Sequence, residues 1–224
     1  TPSEQPDEQP KQSSMKAEVS ASSTPSLPVN RVAMLKEISE RSPFFEEARR
    51  IVSSSLPEED KENRKLILDY VEHFRTAYTT KDIDFLRQLF SEEALIIVGK
   101  VVQQSPRYEN NMLSQAQVVY NIRSKKEYLS RLQSVFAANK TIDVYFEQFN
   151  IMKHPTIEGF YGVSLKQGYR SDLYSDEGYL FLLWDFRDKH TPMIHVRTWQ
   201  PAMLQEGVPL PADEVFNLGS FHLQ

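Results

Sequence analysis

A chain of 224 residues allows one ordinary domain and an appendage, and 40% hydrophobic with 11% aromatic residues can form a sizeable core. The net charge of −5 lacks the basic excess of a duplex-binding protein, which argues against nucleic acid as a partner. The absence of cysteine excludes disulfides, thiolate nucleophiles and Cys-ligated zinc, and no apolar run reaches the length of a transmembrane segment.

Residues 1–30 hold five of the 13 prolines and seven serines without apolar periodicity. Such a segment buries too little surface to offset its ordering entropy, so it reads as disordered. It suits a tether spacing an exported domain, periplasmic or surface-held, from an anchor. A plain flexible terminus on a cytoplasmic protein is the alternative. No signal peptide is visible, and a start at Thr1 is expected of a processed precursor or a trimmed chain.

Residues 31–55 read as a helical extension. Asn30 can cap a helix carrying Val32, Met34, Leu35 and Ile38, and Ser42-Pro43 is a start signal for a second helix with Phe44, Phe45, Ala48, Ile51 and Val52. Its apolar stripe must dock on the main domain or on a partner. The main domain, residues 56–224, opens with Glu58, Glu59 and Asp60 placed in the first turn of a long helix, where the helix dipole favours them. Leu66, Ile67, Tyr70, Val71, Phe74, Ala77 and Tyr78 then mark one helix face. Thr79-Thr80 breaks it, Asp82 caps a short helix with Phe85, Leu86 and Leu89, and Leu95–Val98 is a strand.

All seven glycines lie at or after Gly99, which places the tight turns in the second half. Residues 103–122 read as a polar, irregular loop. Ser124 and Glu127 form a capping box ahead of a helix with Tyr128, Leu129, Leu132, Val135 and Phe136. Four strands follow, at Thr141–Ile151, Phe160–Tyr169, Gly178–Phe186 and Met193–Gln200. Pro155, Ser171–Asp176 and Lys189–Pro192 lie between them as turns. After Pro201 the chain is loop-like, with Phe216, Leu218 and Phe221 available to cover an edge.

Turn placement predicts a register. A last turn centred between Lys189 and His190 sets Trp184 opposite His195, Leu182 opposite Arg197 and Leu180 opposite Trp199. A preceding turn near Tyr174 sets Tyr169 against Leu180, Gln167 against Leu182 and Leu165 against Trp184. One face then carries Gln167, Tyr169, Trp184, His195, Arg197 and Trp199; the other carries Phe181, Leu183, Ile194, Val196 and Thr198 as ordinary core. The first face has the chemistry of a small-molecule pocket, with Arg197 for an anionic or carbonyl group and His195 for a proton. It equally has the composition of a homodimer interface formed through the sheet. On this register Asp185 points away from His195, and Asp172, Asp176 and Glu177 are solvent charges in a turn. The five histidines have no metal-ligand spacing, no phosphate loop, HExxH or GxSxG is present, and no cofactor is called for.

The order of helix, short helix, strand, helix and antiparallel strands resembles the nuclear transport factor 2-like superfamily. The resemblance rests on the Leu66–Tyr78 helix, the Thr80-Lys81-Asp82 break, Phe85–Phe90 and the Ser91–Val98 segment, with Gly178–Phe186 and Met193–Gln200 as the closing hairpin, and covers about residues 57–200. In overall texture the chain is also similar to exported Bacteroidetes domains without an assigned activity. The resemblance implies an α+β cone: a curved antiparallel sheet wrapped around a long N-terminal helix, here preceded by a helical extension. The extension and the 103–122 loop depart from the pattern. Members include ketosteroid isomerase, polyketide cyclase and dehydratase enzymes, which place Asp, His or Tyr inside the cone. Two functions are therefore expected. The first is a non-catalytic ligand-binding or protein-interaction domain. The second is an isomerase, cyclase or dehydratase using His195 with Tyr169 or Asp69, favoured by a deep cavity with an ionisable pair and disfavoured by a cavity filled with Trp and Tyr.

Overall fold

The computed structural model describes residues 37, 38, 40–103 and 116–221. The 1–30 segment and the start of the first extension helix lie outside these residues. Four helices are named here, α1 (Phe45–Ser54), α2 (Lys61–Thr79), α3 (Ile83–Leu89) and α4 (Lys125–Ala138). The main sheet is built from β1 (Phe90–Gln103), β2 (Ala116–Ser124), β3 (Ile142–Lys153), β4 (Phe160–Ser171), β5 (Ser175–Asp185) and β6 (Met193–Pro201), in the order β2-β1-β6-β5-β4-β3. Among the described residues, only the β1–β6 pair is parallel. A small hairpin, β7 (Met203–Gln205) with β8 (Val208–Pro209), follows.

The helices form where the apolar periodicity places them. Ile67, Val71, Phe74, Ala77 and Tyr78 are the buried face of α2. Asp60 is its N-cap, its carboxylate accepting from the Asn63 amide at 2.8 Å. The acids therefore precede the helix instead of filling its first turn, because Pro57 bridges Met152 of β3 and keeps this segment extended. Asp82 accepts from Phe85 N to start α3, and Ser124 accepts from Glu127 N to start α4. Each such cap contributes about 1 kcal/mol. Tyr128, Leu129, Leu132, Val135 and Phe136 of α4 are all buried.

One expectation fails outright: part of the 103–122 loop is β2, paired residue for residue with β1 from Gln103↔Ala116 to Leu95↔Ser124. Val118, Val119 and Tyr120 are buried consecutively, so the strand lacks the alternation that marks a half-exposed sheet. Residues 104–115 lie outside the described residues.

The sheet has a core on each side. Inside its curve, α2, α3 and α4 pack on Ile96, Val98, Val163, Leu165, Leu180, Leu182 and Trp184. On the outer side the extension docks on its own domain, with Ile38, Phe45, Ala48 and Ile51 set against Leu95, Ile97, Phe181, Leu183 and Val196. Leu218 and Phe221 join this layer, and the Phe221 ring stacks on Tyr120 at 4.0 Å. The curvature is supported by irregularities between Phe90 and Leu95, between Glu147 and Asn150, and between Leu183 and Trp184.

Candidate functional site

The last irregularity reorganises the expected site. Leu180↔Trp199 and Leu182↔Arg197 pair as the turn predicts, but Trp184 faces Ile194, and His195 is the extra residue between Ile194 and Val196. Ile194 therefore joins Trp184 in the inner core, and His195 turns to the outer layer. The β4–β5 turn is centred two residues earlier than predicted, so Tyr169 faces Asp176, Gln167 faces Gly178 and Leu165 faces Leu180. Each expected partner moves by four positions, an even number, so these residues keep the predicted face.

Inside the cone the space is filled. Trp184, Arg197, Trp199, Phe74 and Tyr128 are each 0% exposed. The Arg197 guanidinium lies 5.0 Å from the centre of the Tyr128 ring, and the Tyr128 and Tyr78 hydroxyls share a 2.5 Å hydrogen bond. A buried cation over an aromatic face compensates part of its own desolvation. The residues of this face are buried within a single chain.

The three acid–base candidates do not meet. Asp69 is exposed on α2, where it pairs with Lys65 at 3.2 Å. Tyr169 is buried toward one end of the inner core, its phenol pKa pushed up by burial. His195 sits in an outer-layer cluster that contradicts the expected orientation of Asp185: Nε2 lies 2.8 Å from Asp185 Oδ2, and Nδ1 lies 2.8 Å from Ser91 Oγ. Phe44 of the extension stacks on the imidazole at 3.7 Å. Burial holds His195 below its ordinary value against the opposing pull of Asp185. Burial favours the neutral form of Asp185, yet hydrogen bonds from Arg187 and His195 outweigh it and hold the carboxyl at about 2. This cluster fastens the extension to the sheet.

A cleft of about 1040 Å³ lies at the other end of the inner row. There the β4–β5 turn, the C-terminal end of β1 and the link from β6 to β7 come together. Of the six residues expected to bind ligand, Tyr169 and Trp199 line it; Gln167, Trp184 and Arg197 are buried elsewhere in the cone, and His195 is on the opposite face. The Trp199 indole lies flat on Gly178, where an added Cβ would come within 2.3 Å of the ring. Its Nε1 is buried with no hydrogen-bond partner among the described residues.

Asp176 is the group that sequence reasoning missed. It belongs to β5 and not to the turn, and its alternation with Gly178, Leu180 and Leu182 sets it on the inner row. That spacing was the available signal; the turn was drawn too long to use it. Tyr174 Oη donates to Asp176 Oδ2 at 3.2 Å, while Oδ1 is buried without a partner among the described residues. Burial, with the neighbouring Glu177 charge adding to it and the Tyr174 bond opposing it, pushes the Asp176 pKa up to about 8. The shift favours the protonated acid, which can donate a hydrogen bond. Asp172, from the same expected turn, is by contrast exposed. It accepts from Lys140 N, Thr141 N and Thr141 Oγ1, which holds its carboxyl at about 2. Among the described residues no three His, Asp or Glu side chains converge as metal ligands.

No protein-family model matches the chain, and no curated protein matches it. Solved structures do. An NTF2-like protein of Cytophaga hutchinsonii is 13% identical over 62% of this chain and 97% of its own, with a TM-score of 0.44. Bd1075 of Bdellovibrio bacteriovorus is 19% identical over 64% of this chain, with a TM-score of 0.48. The chain spans 42% of that protein's length. A candidate ketosteroid isomerase of Shewanella frigidimarina is 13% identical over 59% of this chain and 92% of its own, with a TM-score of 0.40. The topology is α+β, with six curved strands closing on α2 and a helix between the second and third strands, as the cone expected from the sequence requires.

Proposed function

We propose that the protein is a non-catalytic small-molecule-binding domain whose ligand occupies the end cleft. The observation that carries this reading is the pair of buried polar atoms there, Trp199 Nε1 and Asp176 Oδ1, which no described residue satisfies. Buried polar groups are nearly always paired, so two at one cleft point to an occupant with hydrogen-bonding groups. The packed interior supports the same reading, since Trp184, Arg197, Phe74 and Tyr128 occupy the space where an enclosed reaction chamber would lie. The test is a thermal-shift screen of the full chain against small carbonyl, hydroxyl and carboxylate compounds. Hits should shift tryptophan emission and weaken in Asp176→Asn and Tyr174→Phe. A screen without hits, or hits indifferent to both variants, ends the reading.

A second reading rests on the Asp176 pKa of about 8 beside Tyr174. A carboxyl titrating near neutrality in a cleft is suited to proton transfer. It moves isomerase, cyclase or dehydratase chemistry from His195 with Tyr169 or Asp69 to Asp176 with Tyr174. Solvent-deuterium exchange into cleft-binding ketones, followed by NMR, tests it: exchange absent in the wild type, or equal in Asp176→Asn, rejects the enzyme. Export remains part of our proposal, carried by the Pro- and Ser-rich residues 1–30; cell fractionation finding the chain only in the cytosol removes it.

A further inference from the structure

On the outer face, His195 is enclosed by several elements at once. Asp185 at the end of β5, Arg187 just beyond it, Ser91 and Glu93 of β1 and the Phe160 ring of β4 surround it from the sheet, and Phe44 covers it from the extension. The Phe44 and His195 rings are parallel within 4° at 3.7 Å, and His195 is 3% exposed. The Asp185 carboxyl is ionised near neutrality, so Nε2 of the neutral ring donates to it and Nδ1 accepts from Ser91 Oγ. A second proton, on Nδ1, would force Ser91 to turn from donor to acceptor. The new charge would also share Asp185 Oδ2 with the Arg187 guanidinium, whose Nη2 lies 2.8 Å from that oxygen, beneath an apolar ring that shuts out water.

Phe44 leads directly into α1, a helix of 10 residues held to the sheet by Phe45, Ala48 and Ile51. A helix of that length is marginal in water by itself, so undocking and unfolding of α1 are one event. Undocking lifts Phe44 from the imidazole and lets water reach it. His195 then takes up a proton more readily than it does beneath the docked extension, and by linkage the proton favours the undocked state. We propose that the extension is an acid-released latch: a proton on His195 frees Phe44 and α1 from the outer face of the sheet. Burial holds His195 below its ordinary 6.5, so release sets in as pH falls below 6.5. This inference is independent of any ligand in the end cleft.

The experiment is amide hydrogen exchange of the full chain, read by mass spectrometry at about pH 7.5 and about pH 5.5, with each rate divided by the intrinsic rate at that pH. Protection of α1 should fall roughly tenfold at the lower value, the limit for one proton over the unit below 6.5, while α2 keeps its protection. Glu47 of α1 also pairs with His154, so the variant at His195, and not pH alone, assigns the effect. His195→Gln should protect α1 equally at both values. Phe44→Ala, which leaves the imidazole wet with or without α1 in place, should lower protection at both values and remove most of the difference between them. Protection of α1 that does not change with pH, a loss shared equally by α2, or a pH difference that survives His195→Gln overturns the latch. Should His195→Gln fail to fold, Phe44→Ala decides, and a pH difference as large as that of the wild type overturns it.

Discussion

Replacing Asp176 with asparagine tests the electrostatics of the cleft without a ligand. The carboxyl has an ordinary value of 3.8 and is pushed up to about 8 in the fold. Between those values the folded state holds a proton that the unfolded chain gives up. The group's contribution is thus fully present below 3.8 and is lost as pH rises through about 8. Unscreened, each pH unit in that window costs about 1.4 kcal/mol. Asp176 keeps partial solvent contact, so about half is realistic, or ~2 kcal/mol between about pH 5 and pH 8. Asparagine is neutral throughout and still accepts from Tyr174. The variant's stability relative to the wild type should rise by ~2 kcal/mol between about pH 5 and pH 8, a relative gain of about 4–8 °C in melting temperature. Thermal or urea unfolding at a series of pH values reads this directly. Parallel stability curves for the two proteins across the window would mean that Asp176 is ionised in the fold, and the argument from its burial would fail.

Phe74 is fully buried against Tyr78, Phe90, Phe146 and Trp184, so Phe74→Ala should cost ~3–5 kcal/mol in urea unfolding; under ~1 kcal/mol would contradict a closed cone. Gly178→Ala drives a methyl into the buried Trp199 indole and should cost about 1–3 kcal/mol with a change in tryptophan emission; wild-type melting would refute that contact. His195 has a lowered value in the fold, so its contribution is present above its ordinary 6.5 and is lost as pH falls from 6.5 through the lower folded value. His195→Gln should therefore flatten the pH dependence of stability between about pH 7 and pH 5, against the opposite slope from Asp176, and an unchanged slope would show the imidazole to be solvated.

The helices were legible because their signals are local. Apolar spacing and the caps at Asp82 and Ser124 are set by residues within a few positions of one another, and the structure places α2, α3 and α4 on those signals. Strand β2 was not legible, because being covered on both faces removed its period of two. The inner face of β4 to β6 was legible in outline for a less secure reason. The β4–β5 turn was misplaced, but by an even step, and side-chain alternation survives even steps.

His195 shows what the sequence withholds. A β-bulge is an odd step taken inside a strand, and nothing in Met193–Gln200 marks which residue is extra. The bulge between Leu183 and Trp184 on one side of β6 and the one between Phe90 and Leu95 on the other meet at this position. Together they bring Ser91 and Asp185 to the two ring nitrogens. The same step takes the imidazole away from Trp184 and leaves the inner row without a histidine. At the end of that row the group whose titration the fold shifts upward is Asp176, and burial is the main cause. A change that lets water reach Asp176 would remove the neutral acid without touching any residue of the sheet core. The cleft is therefore the part of this fold whose chemistry can change most cheaply, and the part where binding measurements carry the most information.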